Sequence, residues 1–231
     1  AGIWPAFWLV HQNRYEWVEN KPPTTGLGLR DVWPIGGEID ILEYVNAFTT
    51  PAFHENRNAV TLHTTPGCVS ERSTPNNLGI ADASGTFDAC GTAGASAGCQ
   101  TQMRANSNGM KNGQQVGGIY ACEWKPTQFV KCWYLDRTDE NLERFNTTVI
   151  DPSTLGEPDI LHNLQPNCNG TDVFYDMKLI LNIAVCGDWA GRTAANSTDA
   201  AGANYTTTQN TDYSFPGCEN AIKAILNDDD N

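Results

Sequence analysis

Three acidic side chains, Glu38, Asp40 and Glu43, lie within one short apolar segment of the chain. Glu38 and Asp40 alternate with isoleucines, as expected for a β-strand that has one polar face. In a regular strand Glu43 would face the opposite side, because residues five positions apart lie on opposite faces. A β-bulge near Ile41 and Leu42 would return Glu43 to the side of the other two acids. The sequence therefore predicts a bulged strand with three carboxylates on one face.

Closely spaced carboxylates can divide the work of acid and base catalysis. Each negative charge raises the pKa of its neighbours, so that at least one carboxyl group stays protonated. One ionised and one protonated carboxyl, about 5–5.5 Å apart, are what retaining glycoside hydrolysis requires. We expect these side chains to converge only if the strand is curved, with the acids on its concave side. The alternatives are a polar strand face or a calcium site, although calcium prefers oxygen ligands from loops.

Several tryptophans lie near the acids or toward the other end of the chain, at Trp4, Trp8, Trp33 and Trp189. Each of them taken singly is more often part of a core. Together with a concave row of acids, they predict a cleft in which flat aromatic rings stack on the sugar rings of a polysaccharide.

Composition limits the class of protein. The chain has 231 residues, of which 40% are hydrophobic, and we read it as one catalytic domain spanning residues 1–231. No apolar run is long enough to cross a bilayer. The net charge of −13 argues against nucleic acid and anionic membranes as partners, because both select basic surfaces. We expect a monomer.

The eight cysteines and four glycosylation sequons point to an oxidising compartment. The sequons begin at Asn146, Asn169, Asn196 and Asn204. We therefore expect a secreted, extracellular glycoprotein with disulfide bonds, which could associate with a cell wall.

The segments with strand character are short, and turn-forming residues separate them. They are residues 4–10, 38–45, 59–64, 118–124, 129–135 and 179–185. The last two segments before residue 136 form a hairpin, across which Cys122 and Cys132 could face each other; the other cysteine pairings stay open. Residues 66–117 are rich in Gly, Ser, Thr and Asn and predict a long loop, whereas residues 219–226 are a weak helix candidate.

Several motifs resemble those of the family 16 glycoside hydrolases, and in particular the fungal, secreted, laminarinase-like endo-β-1,3(4)-glucanases. The motifs are Trp4-Pro-Ala-Phe-Trp8, Trp33-Pro-x-Gly-Gly-Glu-Ile-Asp-Ile-Leu-Glu43, Asn46, Thr61-Leu-His63-Thr and Cys186-Gly-Asp-Trp-Ala-Gly191. The resemblance implies an all-β fold, a β-jelly-roll sandwich of two curved antiparallel sheets with an open cleft. It also implies retaining endo-hydrolysis of β-1,3- or mixed β-1,3/1,4-glucan.

The resemblance assigns roles residue by residue. Glu38 matches the nucleophile, Glu43 the general acid/base, and Asp40 the carboxylate that tunes the pair. His63 matches a cleft histidine, although a buried strand histidine bonded to the backbone is the alternative. The predicted substrate contacts are Trp4, Trp8, Trp33, Asn46, His63, Glu123 and Trp189.

The chain departs from the family pattern at both ends. Family members carry further strands before Trp4 and a terminal strand after residue 231, so the resemblance implies a partial domain with exposed sheet edges and apolar faces. The alternatives to a hydrolase are a cell-wall glucan transglycosylase and a non-catalytic glucan-binding module or inactive fragment. No cofactor and no catalytic metal are expected. The sequence gives no support for a structural calcium ion.

Overall fold

A computed structural model describes thirteen strands in the chain, which form two main antiparallel sheets. The residues that it describes are 3–12, 33–44, 56–81, 88–91, 98–111, 114–137, 142, 145, 149–164, 168, 173–185 and 190.

The strands follow one another along the chain with one short 3-10 helix, Pro152–Thr154, between the eleventh and the twelfth. They are β1 (Ile3–His11), β2 (Glu38–Glu43), β3 (Ala59–His63), β4 (Val69–Ser73), β5 (Ile80–Ala81), β6 (Asp88–Ala89), β7 (Cys99–Gln102), β8 (Met110–Lys111), β9 (Gln114–Gln115), β10 (Gly118–Lys125), β11 (Phe129–Asp136), β12 (Ile160–Asn163) and β13 (Met177–Val185).

The larger sheet has six strands in the order β13-β1-β2-β3-β7-β5, and the second has five in the order β10-β11-β12-β4-β6. The acidic strand β2 lies inside the larger sheet, between β1 and β3. Its isoleucines Ile39 and Ile41 join the buried core together with Val60 and Leu62 of β3 and Val130 of β11. The core therefore lies between the two sheets, and residues from both sheets form it.

The strand predictions and the two-sheet all-β architecture are confirmed, with one exception. The segment 66–117 is not a long loop, because it contains β4 to β9, and β4 and β7 pair within the two main sheets. These strands are short and lack a clear apolar alternation, so their pairing depends on tertiary contacts that local sequence does not encode. The helix candidate at residues 219–226 lies outside the described residues.

Three disulfide bonds join cysteines of the described residues. The predicted bond between Cys122 and Cys132 is confirmed, and these residues are directly opposite each other on β10 and β11. The other two bonds are Cys68–Cys168 and Cys90–Cys99. Cys186, Cys218 and the four sequon asparagines lie outside the described residues.

The apolar side of β13 is open to solvent. Leu179, Leu181, Ile183 and Val185 are all exposed, and Leu181 is 81% exposed. They lie opposite β1 residues on the side of the sheet that faces the core elsewhere, so this edge of the sandwich has an uncovered apolar face. Among the described residues, no helix has the length and apolarity needed to cross a bilayer.

Candidate active site

The register of β2 brings its three acids onto one face of the larger sheet. Glu38, Asp40 and Glu43 are opposite Val10, Trp8 and Ala6 of β1, and opposite His63, Thr61 and Ala59 of β3. The partners on each neighbouring strand are alternate residues and therefore share a face. Phe7 pairs with Leu42 while Trp8 pairs with Asp40, which leaves Ile41 as the extra residue. The predicted bulge is confirmed on both sides of the strand.

Two glycines make the turn that leads into β2. Gly36 and Gly37 have φ of 79° and 76°, a region that favours glycine. A Cβ on Gly36 would lie 2.5 Å from the His11 ring, and one on Gly37 would lie 2.4 Å from the Val173 carbonyl oxygen. The backbone can reach this position only without side chains, and the turn brings Trp33 back over the beginning of β2.

Glu38 is buried beneath the indole of Trp33. The Glu38 side chain is 7% exposed, and its Oε2 accepts a hydrogen bond of 3.1 Å from Trp33 Nε1. The Trp33 ring also lies against His63, with ring centroids 5.2 Å apart. A donor aimed at a buried carboxylate oxygen favours the ionised form of that carboxylate. This arrangement suits Glu38 to act as an anion.

Asp40 and His63 form a buried pair beside Glu38. Their Oδ2 and Nε2 atoms are 3.1 Å apart, and both residues are less than a tenth exposed. His63 also lies opposite Glu38 in the strand register. The structure therefore brings the predicted cleft histidine into contact with the central carboxylate.

Glu43 is in a different electrostatic state from an ordinary glutamate. Burial, and then the negative charge of Asp40, raise the pKa of Glu43 from 4.5 to about 9. A hydrogen bond with the Trp4 side chain acts in the opposite direction. At neutral pH Glu43 is therefore protonated, which gives this face a proton donor close to an ionisable neighbour.

Trp4 and Trp8 lie on the same face of the sheet as the acids. Trp4, Ala6 and Trp8 occupy every second position of β1, and Ala6 and Trp8 are opposite Glu43 and Asp40. Trp8 Nε1 donates a 2.7 Å hydrogen bond to Asn182 Oδ1 on β13. Asn182 is not among the predicted substrate contacts, although a single polar residue inside the apolar segment Leu-Ile-Leu-Asn-Ile-Ala-Val was a usable signal. Asn182 adds an exposed amide to the face that carries the indoles.

The structure does not bring Glu123 to this face. Glu123 lies on β10 in the smaller sheet, opposite Lys131, and its Oε1 is 3.3 Å from Lys125 Nζ. Glu123 lines a mostly apolar cavity of about 380 Å³, and Phe7 and Ile41 also line this cavity. The other two predicted contacts, Asn46 and Trp189, lie outside the described residues.

Within the part of the chain that the structure describes, one group of side chains could hold a cation. Single ligand atoms of Glu38, Asp40 and His63 lie within 4.8 Å of one another. The hydrogen bond from Trp33 to Glu38 and the contact between Asp40 and His63 would compete with the binding of a cation. The expectation that the chain needs no cofactor stays a prediction.

The fold agrees with comparisons to known proteins. The family model described as "XgeA-like, catalytic GH16 domain" matches residues 25–220. The chain belongs to this family of glycoside hydrolase catalytic domains. It is 32% identical over 199 residues to the endo-1,3(4)-beta-glucanase xgeA of Emericella nidulans, which covers 83% of the chain. The chain spans only about a quarter of that relative, 25% of its length.

Solved structures support the β-jelly-roll architecture. Laminarinase 16A of Phanerochaete chrysosporium, solved with glucans in donor and acceptor sites, superposes with a TM-score of 0.58 at 26% identity. The match covers 84% of the chain and 56% of the laminarinase. An elongating family 16 beta-1,3-glucosyltransferase also gives a TM-score of 0.58, at 27% identity. This match covers 94% of the chain and 59% of the glucosyltransferase.

Proposed function

We propose that the chain is the catalytic domain of a retaining endo-β-glucanase that cleaves β-1,3- or mixed β-1,3/1,4-glucan. One observation carries the proposal: the bulge in β2 aligns Glu38, Asp40 and Glu43 on one face, and their surroundings differ. The family and its glucan-cleaving and glucan-binding relatives support the substrate class.

Glu38 and Glu43 are proposed to divide the first step between them. A Glu38 carboxylate oxygen attacks the anomeric carbon and forms a covalent ester while the glycosidic carbon–oxygen bond breaks. Glu43 gives its proton to the departing oxygen. The hydrogen bond from Trp33 to Glu38 and the raised pKa of Glu43 support this division, because the first favours an anion and the second a neutral acid.

The second step reverses the proton transfer. Glu43, now ionised, takes a proton from water, and the water oxygen attacks the anomeric carbon and releases Glu38. Asp40 is proposed to hold His63 and to set the pKa of Glu43 through its charge. Trp4, Trp8 and Trp33 are proposed to form the surface on which sugar rings stack.

The test compares amide variants of the acids on laminarin and lichenan. Glu38→Gln is expected to abolish release of reducing ends, and Glu43→Gln to lower kcat by about 10²–10⁴-fold, the usual contribution of a general acid. Glu71→Gln is the matched control, because Glu71 is an exposed acid on β4 of the other sheet. Undiminished release of reducing ends by folded Glu38→Gln would reject the mechanism.

Transfer to another glucan is the second candidate function. The similarity to an elongating beta-1,3-glucosyltransferase favours it. In transfer, an acceptor hydroxyl replaces water in the second step, and Glu43 takes its proton in the same way. Product analysis with an added laminari-oligosaccharide separates the two functions, since chains longer than the substrate indicate transfer and shorter chains alone indicate hydrolysis.

We also propose that the protein is secreted and glycosylated. The three disulfide bonds support an oxidising compartment, and the four sequons support glycosylation. Expression in a fungal host, with mass spectrometry of medium and cell-wall fractions, tests both points. Retention of an unglycosylated chain inside the cell would contradict them.

A further inference from the structure

The bulge in β2 frees two backbone groups from the regular ladder, because an extra residue interrupts the pairing with β3 between Asp40 and Glu43. These groups are the Ile41 carbonyl and the Glu43 N–H. Buried backbone groups of this kind need a partner, or the bulge is costly to form. The conformation that turns Glu43 toward the other acids therefore depends on what binds these two groups.

Asn58, the residue immediately before β3, binds both of them. Its Oδ1 accepts a hydrogen bond of 3.0 Å from Glu43 N, and its Nδ2 donates one of 2.9 Å to the Ile41 carbonyl oxygen. One partner is a donor and the other an acceptor, so the chemistry alone fixes the orientation of the carboxamide. The side chain spans the bulge and replaces the missing ladder bonds.

Asn58 is itself held rigidly. It is 0% exposed, its backbone N donates 2.7 Å to Ser107 Oγ, and its carbonyl accepts 2.9 Å from Met103 N. The Met103 sulfur lies 3.3 Å from Asn58 Nδ2. The preceding Arg57 is also buried and donates 2.7 Å to the Met103 carbonyl. The carboxamide therefore acts on the bulge from a fixed backbone.

Few side chains could replace Asn58. An ionised aspartate accepts from Glu43 N but cannot donate to Ile41, and alanine reaches neither group. Glutamine carries the same amide on a longer arm, which the fully buried site has no room for. The position therefore demands a short side chain with one donor and one acceptor in a plane.

We infer that Asn58 is a positioning residue for the proposed acid/base Glu43, which it holds in place through the bulge rather than through contact with substrate. The inference rests on the proposed function. Its effect is expected to fall on the catalytic step, because its side-chain hydrogen bonds go to the backbone of the bulge at Ile41 and Glu43.

The experiment uses the full chain with Asn58→Ala and Asn58→Asp, and with Asn76→Ala as control. Asn76 lies in a turn and binds Asp159 and Leu78 N, away from the bulge. Asn58→Ala is expected to lower kcat by about 10²-fold, the usual cost of a misplacement near 1 Å, with KM within about twofold. Asn76→Ala is expected to lower only the melting temperature.

A second readout is the pH profile. When the bulge relaxes, Glu43 moves away from Asp40 and from its buried site, so its pKa falls and the alkaline limb of kcat/KM moves to lower pH. Asn58→Asp has nearly the same shape, and when protonated it can both donate and accept. Its activity relative to the natural protein is therefore expected to rise as pH falls.

Amide exchange at Glu43 N–H gives a readout that does not depend on catalysis. Loss of the Asn58 acceptor is expected to speed this exchange in Asn58→Ala, in the Glu43→Gln background as well. If Glu43→Gln is active, the proposed function is wrong, but amide exchange at residue 43 still tests the role of Asn58 in the bulge. Folded Asn58→Ala and Asn58→Asp with unchanged kcat, alkaline limb and Glu43 amide exchange would overturn the inference. If Asn58→Ala does not fold, Asn58→Asp decides alone.

Discussion

The carboxyl groups of Glu38, Asp40 and Glu43 lie on one short strand but have different surroundings. Glu38 accepts an indole N–H, Asp40 pairs with a histidine, and Glu43 is held neutral by burial and by the charge of Asp40. The proposed nucleophile and the proposed acid are both glutamates, so only their surroundings distinguish them.

Asp40→Asn is expected to move the alkaline limb of kcat/KM to lower pH. The asparagine keeps an oxygen that can accept from His63, but it removes the negative charge that helps to raise the pKa of Glu43. The proposed mechanism requires protonated Glu43 in its first step, so a lower pKa of Glu43 ends activity at a lower pH. The pH profiles of kcat/KM on laminarin, measured for Asp40→Asn and for the control Glu71→Gln, check this prediction. Glu71→Gln is expected to keep the alkaline limb of the natural protein. A limb that stays in place would mean that burial alone controls Glu43.

Trp33→Phe is expected to lower kcat by about tenfold, the scale of one charge-assisted hydrogen bond. Phenylalanine keeps an aromatic face for sugar but loses the N–H that binds Glu38. Trp133→Phe is the matched control, since Trp133 lies on β11 of the other sheet and its indole donates a hydrogen bond of 3.0 Å to the Gly156 carbonyl oxygen. The control is expected to lose stability but keep kcat. Equal kcat values for the two variants would remove Trp33 from the mechanism of Glu38.

The sequence predicted the bulge and the shared face of the three acids, because their spacing violates a strict two-residue period. Asn58 gave no such signal, since its task depends on a bulge in another strand and on Ser107 from a distant segment. Glu123 shows the reverse case: an acid in a strong strand pattern that the fold places in the other sheet. A residue's type is visible in the sequence, but its neighbours across a sheet are not.

At the scale of elements, strands with strong apolar or alternating patterns were predictable, including β1, β2, β3, β10, β11 and β13. The short strands between residues 66 and 117 were not, because pairing with β3 and β12 defines them more than their composition does. Disulfides help to fix this region: Cys68 precedes β4, and its partner Cys168 follows β12, the strand beside it.

Loss of the Cys68–Cys168 bond is expected to cost more stability than loss of Cys90–Cys99. The first closes a loop with a sequence separation of 100 and the second one of 9, so the unfolded chain gains far more freedom when the first is removed. Chain-entropy scaling gives a difference of about 2 kcal/mol in the free energy of unfolding. Urea unfolding of the two double Cys→Ala variants measures it, and each serves as the control for the other. Equal losses would show that native strain or residual structure outweighs loop length.

At the scale of the whole molecule, a buried histidine and a partly buried glutamate, whose pKa values shift in opposite directions, limit the stable pH range. His162 on β12 is fully buried, and burial and the Arg72 charge lower its pKa from 6.5 to about 3. The unfolded chain therefore binds more protons between these values, and stability falls as pH falls from 6.5 towards 3. Glu43 does the opposite: its pKa rises from 4.5 to about 9, so stability falls as pH rises between those values.

These opposing effects predict a plateau of highest melting temperature between about pH 4.5 and 6.5, where the two slopes cancel, because stability rises with pH below this range and falls with pH above it. The net charge of −13 adds repulsion above this range. Calorimetry across pH checks the plateau, and two variants assign its sides. Glu43→Gln is expected to remove the fall above pH 6.5, so that stability rises up to that pH. His162→Gln is expected to remove the fall below pH 4.5, so that stability declines from that pH upward, and it melts lower throughout because its buried site is repacked. An alkaline slope unchanged by Glu43→Gln would show that Glu43 is not held neutral in the folded protein, and the proposed acid would lose its main electrostatic support.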